Sequence, residues 1–185
     1  MNNKSFPSFE ELEQLREQYN QQAFQNWLQV DLFSLNWWLL LLMMVVPWII
    51  WWKLADRKRL AELLIYGMLV GLTSTLLCII GYDLMLWGYP SRLVSFMMPP
   101  LFPLVLSVMP VAYMLVYQYF PTRNTFAAVS FILSALAAFV IEPLMVYMHM
   151  YVEYHWSYWY SFPIYFLMAV GLRKLTQKII SSHSH

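Results

Sequence analysis

Residues 35–54 read LNWWLLLLMMVVPWIIWWKL, twenty residues with one charge, Lys53, beside the end. At helical rise such a stretch covers about 30 Å, the thickness of a bilayer's hydrocarbon core. A water-soluble helix of this length would show a polar face, and this one has none. Trp37 and Trp38 mark one end and Trp48, Trp51 and Trp52 the other, where aromatic side chains settle at membrane–water boundaries. The stretch therefore reads as a transmembrane helix.

Composition agrees. Of 185 residues 61% are hydrophobic and 11% charged, against about 25% charged in ordinary soluble domains. A soluble core could not hide so much apolar surface. Aromatic residues make up 18%, with nine Trp. The net charge of +1 gives no signal for nucleic acid. One cysteine, Cys78, excludes an intrachain disulfide and a cysteine-based metal site. No signal-peptide pattern precedes Leu35, so the first apolar run is expected to remain in the mature chain.

Four further apolar stretches follow, at 63–86, 101–120, 126–148 and 159–175, within a transmembrane domain of 35–175. Pro99, Pro100 and Pro103 crowd the start of the third, which is expected to be irregular or re-entrant over 93–103. With five spans, Lys53, Arg57, Lys58, Arg59, Arg123, Arg173, Lys174 and Lys178 share one side, and Lys4, Arg16 and Arg92 the other. The positive-inside rule makes the first side cytoplasmic and puts the N-terminus outside. Four spans would leave the C-terminal basic cluster outside.

Residues 1–34 are polar and acidic, yet Phe9, Leu12, Leu15, Tyr19, Ala23 and Trp27 recur at helical steps. Ser8 and Glu11 form a capping-box pattern. This segment reads as an amphipathic helix on the membrane surface, and residues 176–185 as a short tail. The expected fold is thus an all-α, polytopic transmembrane bundle of five spans with an N-terminal interfacial helix.

Gly67, Gly71, Ser74, Cys78 and Gly81 form one stripe of small residues along the second span. Such a stripe lets helix backbones approach closely in lipid. It is expected to pack against another helix, of this chain or of a second copy. Ser130, Ser134 and Ala138 in the fourth span offer a matching face. Pro47, Pro110, Pro143 and Pro163 each remove a backbone donor and free the carbonyls of Met43, Leu106, Phe139 and Trp159. They read as ordinary kinks, or as the bends around a polar cavity.

Glu142 is the leading functional candidate. It lies six residues inside the outer end of the fourth span, roughly 9 Å deep. A bare carboxylate there costs about 3 kcal/mol, so it must be neutral, paired or facing water. Asp83 and Arg92 flank the WGYPSR turn and are expected to form an ion pair. His149, Glu153 and His155 cluster in an outer loop, where three ligands for a zinc-like ion are conceivable, although the spacing matches no established metal motif. Lys53, Arg57, Lys58 and Arg59 are expected to touch anionic headgroups. No phosphate loop, HExxH, GxSxG or CxxC occurs, so no cofactor is implied.

The strings PWIIWWKLADRKRLAELLIYG (47–67), WGYPSRL (87–93), PVAYMLVYQYFP (110–121), FVIEPLMVY (139–147) and YSFPIY (160–165) together resemble a family of small multi-pass membrane proteins of spore-forming Firmicutes. That family has no established activity, so the resemblance implies a fold and a bacterial source. It also implies that Asp56, Arg57, Tyr89, Pro90, Tyr117, Gln118, Phe120, Pro121, Glu142 and Pro143 belong to the family pattern, with the 160–165 string. Members often carry an acidic residue in the third span. Here LVLSVMP (104–110) has none, which argues against a two-carboxylate ion site.

These readings lead to a membrane component that binds lipid or a partner protein without catalysis, in a sporulation-linked envelope. A small transporter or channel using Glu142 is the alternative, and an intramembrane lipid-acting enzyme the third. A transporter needs a cavity reaching Glu142, and an enzyme needs converging polar groups. A scaffold needs Glu142 satisfied by its own backbone or Arg92, with no cavity.

Overall fold

A computed structural model describes residues 7–96 and 102–182. Lys4, Leu101, Pro99 and Pro100 lie outside these residues, and with them the first part of the irregular start expected for the third span. Helix α1 is Phe9–Asn26, α2 Leu35–Leu54, α3 Leu60–Asp83, α4 Met109–Tyr119, α5 Arg123–Leu136, α6 Glu142–Tyr147 and α7 Tyr158–Ser182. Single π-helical turns precede α4 (Leu104–Val108) and α6 (Ala137–Ile141) and follow α1 (Trp27–Asp31).

Local chemistry sets the boundaries. The capping box at Ser8 and Glu11 forms, with both reciprocal bonds present. Ser34 caps α2 by accepting from Trp37 N at 3.2 Å, and Thr122 caps α5 by accepting from Thr125 N at 3.2 Å. Phe33, Met85 and His149 take the left-handed conformation, at φ of 60°, 54° and 55°, and turn the chain between elements. The second helix pass therefore ends at Asp83, three residues before the expected Leu86.

Among the described residues three stretches are long and apolar enough to cross a membrane: Leu35–Leu54, Arg57–Asp83 and Arg123–Tyr147. Leu104–Tyr119 is apolar but shorter. Helix α7 has 25 residues, but Tyr158, Trp159 and Tyr160 begin it and Arg173, Lys174 and Lys178 lie toward its other end, which lowers its hydropathy.

The chain passes back and forth between two ends. At one end Asn36 donates to Ser91 Oγ and Met148 O, and Trp37 Nε1 donates to Leu93 O. There a short antiparallel pair, β1 (Trp87–Gly88) and β2 (Val152–Glu153), closes two loops in register Trp87 to Glu153. At the other end Gln118 bonds Asp56 N and Leu54 O, Tyr117 donates to Glu62 at 2.6 Å, and Arg173 donates to Pro121 O and Thr122 O.

The small-residue stripe is buried along its whole length, as expected. Its partner is α4 and not the matching face in the fourth span. Helix α3 packs on α4 and the π turn before it, so a Cβ on Gly71 would sit 3.4 Å from Pro110 Cγ. Ser134 instead bonds Tyr113 Oη of α4 at 3.0 Å, while α5 packs against α7. At the stripe's far end a Cβ on Gly81 would fall inside the Trp87 ring.

Gly81→Ala should therefore destabilise the protein by about 1–3 kcal/mol through overpacking, whereas Gly71→Ala should change little. Thermal unfolding of detergent-solubilised variants checks this. Equal melting temperatures would show that Trp87 does not occupy the Gly81 face.

Candidate functional site

Glu142 is the first residue of α6, directly after the π turn Ala137–Ile141, and is 8% exposed. A π turn carries its backbone bonds one residue further than an α-turn, here from Glu142 N to Ala137 O. Pro143 follows at once and can donate no backbone bond. The distorted turn thus sits beside the proline and sets the direction of the Glu142 side chain.

That side chain meets α7. Tyr165 Oη donates to Glu142 Oε1 at 2.5 Å, and Ser161 Oγ donates to Oε2 at 3.0 Å. Ser161 and Tyr165 are four apart, so one helix face delivers both donors. Trp156 Nε1 in turn donates to Ser161 Oγ at 2.8 Å. Glu142 is satisfied by these two hydroxyls, and Arg92 plays no part.

Beside the carboxyl lies a cavity of about 280 Å³. Its far wall includes Ser74 and Cys78 of the stripe, and Cys78 Sγ lies 3.0 Å from Tyr89 Oη. Leu77 and Ile80 also border it, and both are exposed on the outer face of α3. The cavity thus has polar groups at Glu142, Ser161 and Tyr165, with an edge on an apolar outer surface.

Arg92 and Asp83 do not pair. The two ion pairs among the described residues are Arg16–Glu13 and Arg59–Glu62. Asp83 ends α3 and is exposed. Arg92 Nη2 donates to Tyr19 Oη at 2.7 Å, with Tyr82 Oη at 3.4 Å, and Trp27 Nε1 donates to the Arg92 and Leu93 carbonyls. Asp31 is buried beside Arg92, and burial raises the pKa of its carboxyl above the usual value. Arg92 therefore docks α1 on the loop after α3.

His149, Glu153 and His155 do not form a metal site. Among the described residues no group of three His, Cys, Asp or Glu side chains is placed to hold an ion. His149 is the left-handed turn after α6, and Glu153 is in β2, where extended backbone alternates its side chains. Both histidines are exposed.

In the basic loop, Lys53, Arg57 and Lys58 are exposed, as headgroup contact requires. Arg57 also lies over the Trp52 ring at 4.0 Å and donates to Trp52 O. Arg59 instead turns inward to Glu62 at 2.9 Å.

Searches against family models, curated proteins and solved structures found no match to this chain.

Glu142→Gln preserves shape, keeps an acceptor oxygen for one hydroxyl and offers an amide N–H to the other, and should leave stability close to wild type. Glu142→Leu leaves two buried hydroxyls without their acceptor and should cost about 1–3 kcal/mol. Unfolding curves of both variants check this. If Leu matches wild type, Glu142 does not hold Ser161 and Tyr165.

Proposed function

We propose that this chain is an integral protein of the bacterial cytoplasmic membrane that binds an apolar, lipid-derived molecule beside Glu142. The observation that carries the reading is the cavity, which is walled largely by apolar side chains and bordered by Leu77 and Ile80 on the apolar outer face of α3. A molecule dissolved in the bilayer would reach it sideways, without crossing water. Few, well-placed polar groups in an otherwise apolar pocket are typical of small-molecule binding sites. In this reading the protein binds rather than catalyses, and the polar groups orient the ligand.

The chain crosses the bilayer five times, with the N-terminus outside and the C-terminus in the cytoplasm. Support comes from the charge bias and from the alternation of helices between two ends. Helix α1 lies at the outer interface with Phe9, Leu12 and Leu15 exposed. The resemblance to proteins of spore-formers supports an envelope setting. Partners are membrane lipids and a second membrane protein or copy of this chain.

Transport of a proton or cation is the second reading. It is favoured by a buried carboxyl at a cavity that has no Lys or Arg in its lining.

Native mass spectrometry after gentle extraction tests binding. Wild type should retain a lipid-derived molecule, and Ser74→Phe, which fills the cavity, should lose it. Empty wild type defeats the reading. For topology, Glu10→Cys and Ser182→Cys in a Cys78→Ala background should react with an impermeant thiol reagent from outside and inside, respectively. The reverse pattern would invert the orientation, and reaction of both from one side would refute five spans.

A further inference from the structure

The cavity beside Glu142 is lined by acceptors and aromatic faces, and among the described residues its lining includes neither Lys nor Arg. Trp87 and Trp156 border the same space, edge to face with ring centroids 4.8 Å apart, and Tyr89 and Tyr151 add two more rings. Ring faces carry partial negative charge and attract ammonium ions, especially where water is excluded. Each Glu142 oxygen accepts one hydroxyl donor, Tyr165 at Oε1 and Ser161 at Oε2, and a carboxylate has about four acceptor positions.

We infer that this site takes the ammonium head of a single-chain alkylamine, with Glu142 accepting its N–H groups and the aromatic side chains surrounding it. The inference rests on the binding role proposed above and specifies its ligand. Size fits this class. An apolar cavity of about 150 Å³ holds benzene, so roughly ten heavy atoms fit in the volume here. A longer chain continues past Leu77 and Ile80 along the apolar face of α3. A phosphate-bearing head would bring an anion against Glu142 with no lining cation to meet it.

The test is isothermal titration of the full chain in phosphatidylcholine nanodiscs, with the signal from empty nanodiscs subtracted. The probes are octylamine, protonated at neutral pH, and 1-octanol, its neutral counterpart of equal length. Octylamine should bind roughly ten- to hundredfold more tightly than octanol, the range of a hydrogen bond to a charged group. Glu142→Gln should remove that preference. Tyr165→Phe, which keeps the carboxyl, should retain the preference, so a folding defect in one variant does not decide the result. Equal binding of both probes to wild type overturns the ammonium assignment but leaves the apolar binding role intact. Binding of neither probe defeats both.

Discussion

At Gly67 the backbone of α3 comes so near α4 that an added β carbon would collide with the Met114 thioether, and at Gly71 one would just touch Pro110 Cγ at 3.4 Å. Lipid tails are as apolar as the side chains they would replace, so helices in a bilayer gain little from hydrophobic burial and associate through close packing. The stripe supplies that contact from Gly67 to Gly71. Around it the large core side chains gather: Tyr66 stacks on Tyr117 at 4.6 Å, with Phe126 edge-on to both. Further along, the same stripe continues as Ser74 and Cys78, and there it borders the cavity. Small residues thus serve helix contact at one level and leave open volume at the next.

Prolines and π turns shape the second half of that design. Both Pro110 and Pro143 come within two residues of a π turn, Leu104–Val108 and Ala137–Ile141. A proline cannot donate, and its ring crowds the preceding turn, so a wider turn spreads the carbonyls that would otherwise clash. Ser107 shows how a neighbouring side chain answers the same difficulty. Its hydroxyl donates to Met44 O at 2.9 Å, next to the Met43 carbonyl that Pro47 leaves free. Pro110 and Pro143 therefore mark the two π turns, and Glu142 follows directly on the second.

Much of the architecture was legible because it follows local rules. Ser8 with Glu11, the boundaries of 35–54 and the burial of the stripe need only spacing and side-chain type. Partners were less legible. The glycines announce close approach without naming α4, because several helices could supply the opposite face. Asp83 and Arg92 are near in sequence, yet Arg92 is engaged by Tyr19 and Trp27 of a segment more than sixty residues earlier. The YSFPIY string (160–165) held a signal in its Ser161–Tyr165 spacing, two hydroxyls one turn apart on an apolar helix. Their acceptor on α6 could not be read from that string. The pairing of β1 with β2 left no alternating pattern to detect, since each strand has two residues.

The two ends of the bundle treat charge in opposite ways. At the basic end Arg59 meets Glu62, Glu62 also receives Tyr117, and Arg173 meets two backbone carbonyls and the Phe126 ring at 4.3 Å. Arg59 and Arg173 thus have acceptors within the chain. At the cavity Glu142 has hydroxyl donors alone, which orient a carboxylate without supplying a countercharge. A buried ion pair repays its desolvation through geometry and added hydrogen bonds. Around Glu142 those hydrogen bonds and the aromatic walls are already in place, while the cation is missing from the lining. One end thus holds a completed network and the other an acceptor-rich one.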